Sequence, residues 1–187
     1  LLTFNADNEI VAGLATEFEQ VDPSTYRFVL RDGVTFSDGT PVTSDLVKKN
    51  FTYYADPANG ARTQKGMSNI ADIEIVNDSE FVVHLASNDP DFFEYVADPT
   101  AFIATEAALA PDAVAEVGAG PFMVDNEVDG VSTTLMRNPE YWDADNVQLE
   151  TLELVFYPDT NARTNALLSG DVDLIDYVAW EDFDRIE

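Results

Sequence analysis

Gly118 and Gly120, followed by Pro121 and Phe122 in "VGAGPF", are the first residues whose type and spacing could do chemistry. A G-x-G-x-x-G run that leaves a strand and opens a helix lets backbone N–H groups cradle a phosphate. Here Met123 stands where the third glycine belongs, the pattern before the pair is helical, and the pattern after it is a strand. The order is inverted, which argues against a phosphate cradle. The glycines read instead as positions needing backbone angles or close approaches that a Cβ would forbid, with Pro121 stiffening the entry to a strand.

Other chemistries find little support. The single histidine, His84, alternates with Val83 and Leu85 in a strand pattern, which suits a structural role better than a catalytic base. Cysteine is absent, so thiolate catalysis, disulfides and Cys-based zinc sites are excluded. Acidic residues number 36 in 187, so carboxylate pairs of the glycosidase kind could be drawn almost anywhere and carry no information. "DADN" (143–146) resembles the start of a calcium loop but lacks its glycine at position six and its glutamate at twelve. In "DVDLID", Asp171 and Asp173 would share one face of a strand, which reads as an exposed edge. Phe92, Phe93, Tyr95, Tyr141, Trp142, Tyr157 and Trp180 could line a cleft, but core is the better reading for most of them.

The elements that would position these residues alternate between strands and helices. "TYRFVLRDG" puts Tyr26, Phe28 and Leu30 on one face of a strand, and after the Asp32-Gly33 turn "VTF" reads as its short partner. "TSDLVKKNFTYYA" predicts a helix capped by Thr43 or Ser44, with Leu46, Val47, Phe51 and Tyr54 as its apolar stripe. "IADIEIV" and "EFVVHL" predict a hairpin around Asn77-Asp78-Ser79. Asp89-Pro90 carries the start signature of a short helix over Phe92–Val96, and "AFIAT" reads as a short strand. "EAALAPDAVAEV" reads as helix in two pieces broken at Pro111. A second hairpin turns at Asp129-Gly130, and a strand follows at "LETLELVFY". Next comes a helix from Asp159 to Gly170, and then "DVDLIDYV" as a buried-type strand, a βαβ-like unit over 151–178. Both ends of the chain look cut, the second inside a starting helix at "WEDFDRIE".

The formal net charge of −27 makes nucleic acid and anionic membrane surfaces poor partners, and the scattered carboxylates form a solvated acidic coat. No apolar run reaches the ~18 residues of a membrane span, and no signal peptide is visible.

Four stretches, in order, resemble one family. "GLATEFEQVDPSTYRFVLRDGVTFSDGTPVTSDLV" is similar to the extended signature of the family 5 solute-binding proteins of oligopeptide, dipeptide and nickel ABC transporters. "GAGPF" stands where that family has G-T-G-P-Y, "RNPEYW" (Arg137 to Trp142, with Tyr141) where it has R-N-x-x-Y-W, and "YPDTNARTNALLSGDVDL" matches its P-D-x-x-x-R-x-x-A-L-x-S-G-E-V-D. Phe18, Ala119, Phe122 and Asp143 are mild departures from the usual Trp, Thr, Tyr and Gly; the larger one is length, since family members run to several hundred residues.

The resemblance implies an α/β fold of the type II periplasmic-binding-protein kind, represented by lobe one: a mixed sheet with flanking helices plus an inserted α+β subdomain. Residues 1–15 would belong to the main sheet of that lobe, 16–117 to the inserted subdomain and 118–187 to the return, with the second lobe outside this chain. It implies a non-catalytic, extracytoplasmic receptor, in periplasm or as a surface lipoprotein, with no cofactor and no metal. Such a receptor takes a peptide or similar small solute between two lobes and delivers it to a membrane permease. By that analogy Asp98, Pro99, Thr100, Ala101 and Phe102 should face the cleft, with Met67 as a second contact. An acidic-pair hydrolase and a scaffold or interaction domain are the rival expectations.

Overall fold

Alternation of large apolar residues organises the first part of the chain. In β4 (Thr25–Leu30) Tyr26, Phe28 and Leu30 are buried, and in β6 (Glu80–Leu85) Phe81, Val83 and Leu85 are buried. The two strands pair antiparallel with Phe28 opposite Phe81, whose rings stack at 5.1 Å. With β3 (Ala15–Asp22) and β5 (Ile70–Asn77) they form a four-stranded antiparallel sheet in the order β3-β4-β6-β5. A small separate pair, β1 (Leu2–Phe4) with β2 (Ile10–Ala12), precedes it.

The computed structural model describes residues 1–110, 113 and 117–186. It divides the chain into two compact units, 1–123 with 137–148, and 124–136 with 149–187.

In the first unit α1 (Ser44–Ala55) covers the apolar face of the sheet. Thr43 caps it, its hydroxyl accepting from Leu46 N at 3.3 Å, and Asp45 sits in the positive first turn. Its stripe of Leu46, Val47, Phe51 and Tyr54 is buried, each large side chain contributing about 1.5–3 kcal/mol. The helix stops at Asp56, whose extended backbone is the conformation forced on a residue before proline. α2 (Gln64–Met67) and α3 (Phe92–Ala97) complete the layer, with Phe92 against Tyr26 at 4.8 Å.

In the second unit β8 (Ser132–Arg137) pairs antiparallel with β9 (Thr151–Val155), and β7 (Phe122–Val128) flanks β8 to make the order β7-β8-β9. α4 (Thr160–Ser169) is capped by Asp159, which accepts from Ala162 N at 2.9 Å, and ends at Gly170 in the left-handed region. A turn of 3₁₀ helix and α5 (Phe183–Ile186) follow.

Four expectations need correction. "VTF" is no partner of β4, whose two edges are already taken by β3 and β6; Thr35 bridges Pro41 instead. The helix expected over Phe92–Val96 runs from Phe92 to Ala97, but Asp91 rather than Asp89 stands at its N-cap, and Asp89 O instead accepts from Phe92 N at 3.2 Å and from Tyr26 Oη at 2.7 Å. "AFIAT" joins no sheet and begins inside a 3₁₀ turn at Pro99–Ala101. "DVDLIDYV" is neither strand nor buried: Leu174 is 80% exposed, and 151–178 is therefore not a βαβ unit. Of "EAALAPDAVAEV", Ala107–Leu109 forms a 3₁₀ turn, and the helical piece expected after Pro111 falls largely outside the described residues.

Candidate functional site

The segment 98–106 has an unusual support. Asp98 opens it by capping the 3₁₀ turn Pro99–Ala101, its Oδ1 accepting from Thr100 N at 2.7 Å and from Thr100 Oγ1 at 2.5 Å. These two bonds, the side-chain one first, hold the Asp98 carboxyl below the usual carboxylate range, with Arg62 adding to the effect. Beyond the turn the chain is extended and lies along α1. Asn50, fully buried, donates Nδ2 to Ala104 O and to Leu46 O, both at 2.9 Å, and accepts from Ala104 N at 2.9 Å. Tyr54 Oη donates to Phe102 O, and burial pushes the Tyr54 phenol up to about 12. Lys49 reaches Glu106 at 2.7 Å.

An extended segment thus has its polar backbone satisfied by side chains of a helix rather than by a strand. Ala101, Ile103 and Ala104 are buried beneath it while Phe102 projects outward, 57% exposed. Of the expected cleft residues, Pro99 and Phe102 are exposed, Asp98 and Thr100 half-buried, and Ala101 buried. They form one continuous ridge.

Met67 does not join that ridge. It is fully buried in the core at the end of α2, so its side chain has no face open to a ligand. The preceding residue explains the tight fit: a Cβ on Gly66 would overlap the Tyr95 ring of α3. α2 and α3 therefore approach closely enough to seal Met67 beneath them.

The glycine pair has a different basis from the one its sequence suggested. Neither Gly118 nor Gly120 has a positive φ. A Cβ on Gly118 would meet only Gly120 N at 3.9 Å, and one on Gly120 would meet nothing within 4 Å. What fixes this loop is its backbone carbonyls: Ser37 N donates to Gly118 O at 2.9 Å, and Asn138, itself buried, donates Nδ2 to Gly120 O at 2.9 Å and N to Pro121 O at 2.8 Å. Next to Asn138 in sequence, Tyr141 packs on Trp142 at 5.1 Å, and the Arg31 guanidinium stacks 3.9 Å over the Trp142 ring. The first three sequence signatures therefore meet in one cluster.

The remaining candidates are dispersed. His84 lies on the outer sheet face, 3.5 Å from Glu74 Oε2 and 3.5 Å from Thr25 Oγ1. Asp171 accepts from Ser169 Oγ at 2.7 Å while Asp176 pairs with Arg163 at 3.1 Å, so the acidic run is not a shared strand face. Within "DADN", Asp143 accepts from Asn146 at 2.6 Å. Arg27 is held by Glu80, Glu17 and Glu19 together. Among the described residues no group of three or more His, Cys, Asp or Glu side chains converges as a metal site would require. Phe92 is core, Trp180 is 87% exposed, and Phe93, Tyr95, Tyr141, Trp142 and Tyr157 are half-buried.

Sequence reasoning missed Asn50. Its signal was present: with Leu46 and Tyr54 it repeats every four residues, so a polar residue occupies an apolar stripe, which marks a buried amide with specific partners.

Residues 9–187 match the model of the family described as bacterial extracellular solute-binding proteins, family 5. The oligopeptide-binding protein OppA of Bacillus subtilis is 29% identical over 92% of the chain and 36% of its own length. The nickel-binding periplasmic protein of Escherichia coli is 25% identical over 94% of the chain and 34% of its own length. The solved structure of the binding protein AgaA of Agrobacterium tumefaciens R10, in complex with agropinic acid, superposes with a TM-score of 0.92 at 34% identity, covering 99% of this chain and 38% of that one. The chain spans about a third of the length of the curated relatives it matches.

Proposed function

The chain belongs to the bacterial extracellular solute-binding proteins of family 5, and from that membership we propose that it forms much of one lobe of the substrate-binding component of an ABC importer. In this reading a peptide or similar small solute is captured without covalent chemistry in a cleft between this lobe and a second one. The loaded protein then meets a membrane permease on the extracytoplasmic side. Ligand contact with both lobes favours closure by its differential affinity for the closed form. Residues 1–15 and 118–187 would belong to the main lobe and 16–117 to its inserted subdomain, with "VGAGPF" as the crossing between them.

The observation that carries the reading to residues is the ridge at 98–102. Tyr54 holds Phe102 O and Asn50 holds the adjoining Ala104, so Phe102 and Pro99 can face a solute without the segment having to order itself on binding. Thr100 and the Asp98 carboxylate would supply the polar edge of this wall. Met67 enters only as core packing.

The range of solutes bound by the relatives, from oligopeptide through nickel to agropinic acid, sets the compounds to try. Thermal unfolding of the full-length protein should be scanned against small peptides, nickel–histidine and agropinic acid. One class should raise Tm in a saturable way. Phe102→Ala should weaken that solute about tenfold, a loss of about 1.4 kcal/mol, with the Tm of the unliganded protein unchanged. Absence of any shift across all three classes would refute the reading.

A further inference from the structure

The three-stranded sheet of the second unit has one face that carries no acidic side chain, with Arg137 at its edge where β8 ends. Register places Leu135 opposite Leu152 and Thr133 opposite Leu154, and Phe156 N donates to Val131 O at 2.9 Å, extending the same side. Val131 N donates to Val128 O at 2.9 Å across the Asp129-Gly130 turn, so Val128 faces Val131. Strand alternation then puts Asp125 and Glu127 of β7, and Glu153 of β9, on the opposite face. In a chain with 36 acidic residues among 187, a face that carries none on three strands is set apart from the rest of the surface. It is also open: Val128, Val131, Leu154 and Phe156 are between 47% and 63% exposed.

We propose that this face is an internal interface, covered in the full-length protein by the part of the same polypeptide that lies outside residues 1–187. Two observations select that occupant. The chain accounts for 38% of the AgaA chain over which it superposes, so the greater part of a protein of that length lies elsewhere in the polypeptide. A second copy of this chain is disfavoured, since it would bring another −27 charge against the first. The covering segment should present an apolar face of comparable extent, because a charged one would be desolvated against Leu154 and Phe156 without partners. This inference rests on the proposed two-lobe protein for its occupant, but not on the identity of any solute.

Hydroxyl-radical footprinting of the full-length protein, read by mass spectrometry, tests it. Labelling of Leu154 and Phe156, scaled to intrinsic side-chain reactivity, should be at least tenfold slower than that of Val21, which is 58% exposed in the first unit. That protection should be unchanged on dilution from 50 µM to 50 nM. Labelling as fast as Val21 would overturn the proposal. Protection lost on dilution would overturn it too, by assigning the face to a second copy. If the face is protected while no solute ever binds, the functional reading fails and the interface stands; the reverse result separates them the other way.

Discussion

At Asn50 one buried amide takes the place of a neighbouring strand, satisfying both the N–H and the C=O of Ala104. Asn50→Ala should cost about 2–4 kcal/mol in denaturant unfolding, because each of those backbone groups is left buried without a partner. A loss below about 1 kcal/mol would mean that the segment finds other support. Tyr54 gives a pH signature. Its folded value, about 12, lies above the ordinary 10.0, so its stabilising contribution is complete below pH 10 and is lost as pH rises from 10 through 12. Tyr54→Phe should flatten that part of the alkaline stability profile. Asp98 has the opposite sign: its folded value is lowered, so its contribution is present above about pH 4 and is lost as pH falls through the lowered value. Gly118→Ala and Gly120→Ala should each change stability by less than about 0.5 kcal/mol, since neither position has a positive φ or a neighbour that a Cβ would strike.

Among elements, α2 and α3 approach closely at Gly66. Gly66→Ala forces the Tyr95 ring to move and should cost about 1–3 kcal/mol, and the cost should shrink in a Tyr95→Ala background if that contact is its cause. Most elements were legible from sequence where local pattern and tertiary context agree. β4 and β6 follow from period-two burial, the β5–β6 hairpin from the Asn77-Asp78-Ser79 turn, α1 from Thr43 and its stripe, and α4 from Asp159 and Gly170. β1, β2 and β3 gave no such signal: β3 alternates acidic and polar residues about a single half-buried Phe18. "AFIAT" has strand-like alternation without a strand's partner, because the partner is a helix side chain whose identity no local pattern encodes. "DVDLIDYV" has the composition of a strand but pairs with none of the strands. The ridge at 98–102 was placed by family resemblance. What holds it there, Asn50 and Tyr54, became visible only once α1 and the segment were side by side.

For the whole molecule, the net charge of −27 sets the response to salt. Raising ionic strength from 0.1 to 1 M shortens the screening length from about 10 to about 3 Å, so self-repulsion falls and Tm should rise by on the order of 5 °C. A flat response would mean the acidic coat is already neutralised by bound cations. If the proposed ridge meets the solute, the same charge leaves that contact to polar and apolar groups rather than to a long-range field for anions. The central claim, reversible capture without turnover, is tested most directly by native mass spectrometry of the full-length protein before and after release of its solute. The expected result is one solute per protein, recovered with its mass unchanged after prolonged incubation. Recovery of a chemically altered product, or no retained solute after exposure to peptides, nickel–histidine and agropinic acid, would contradict it.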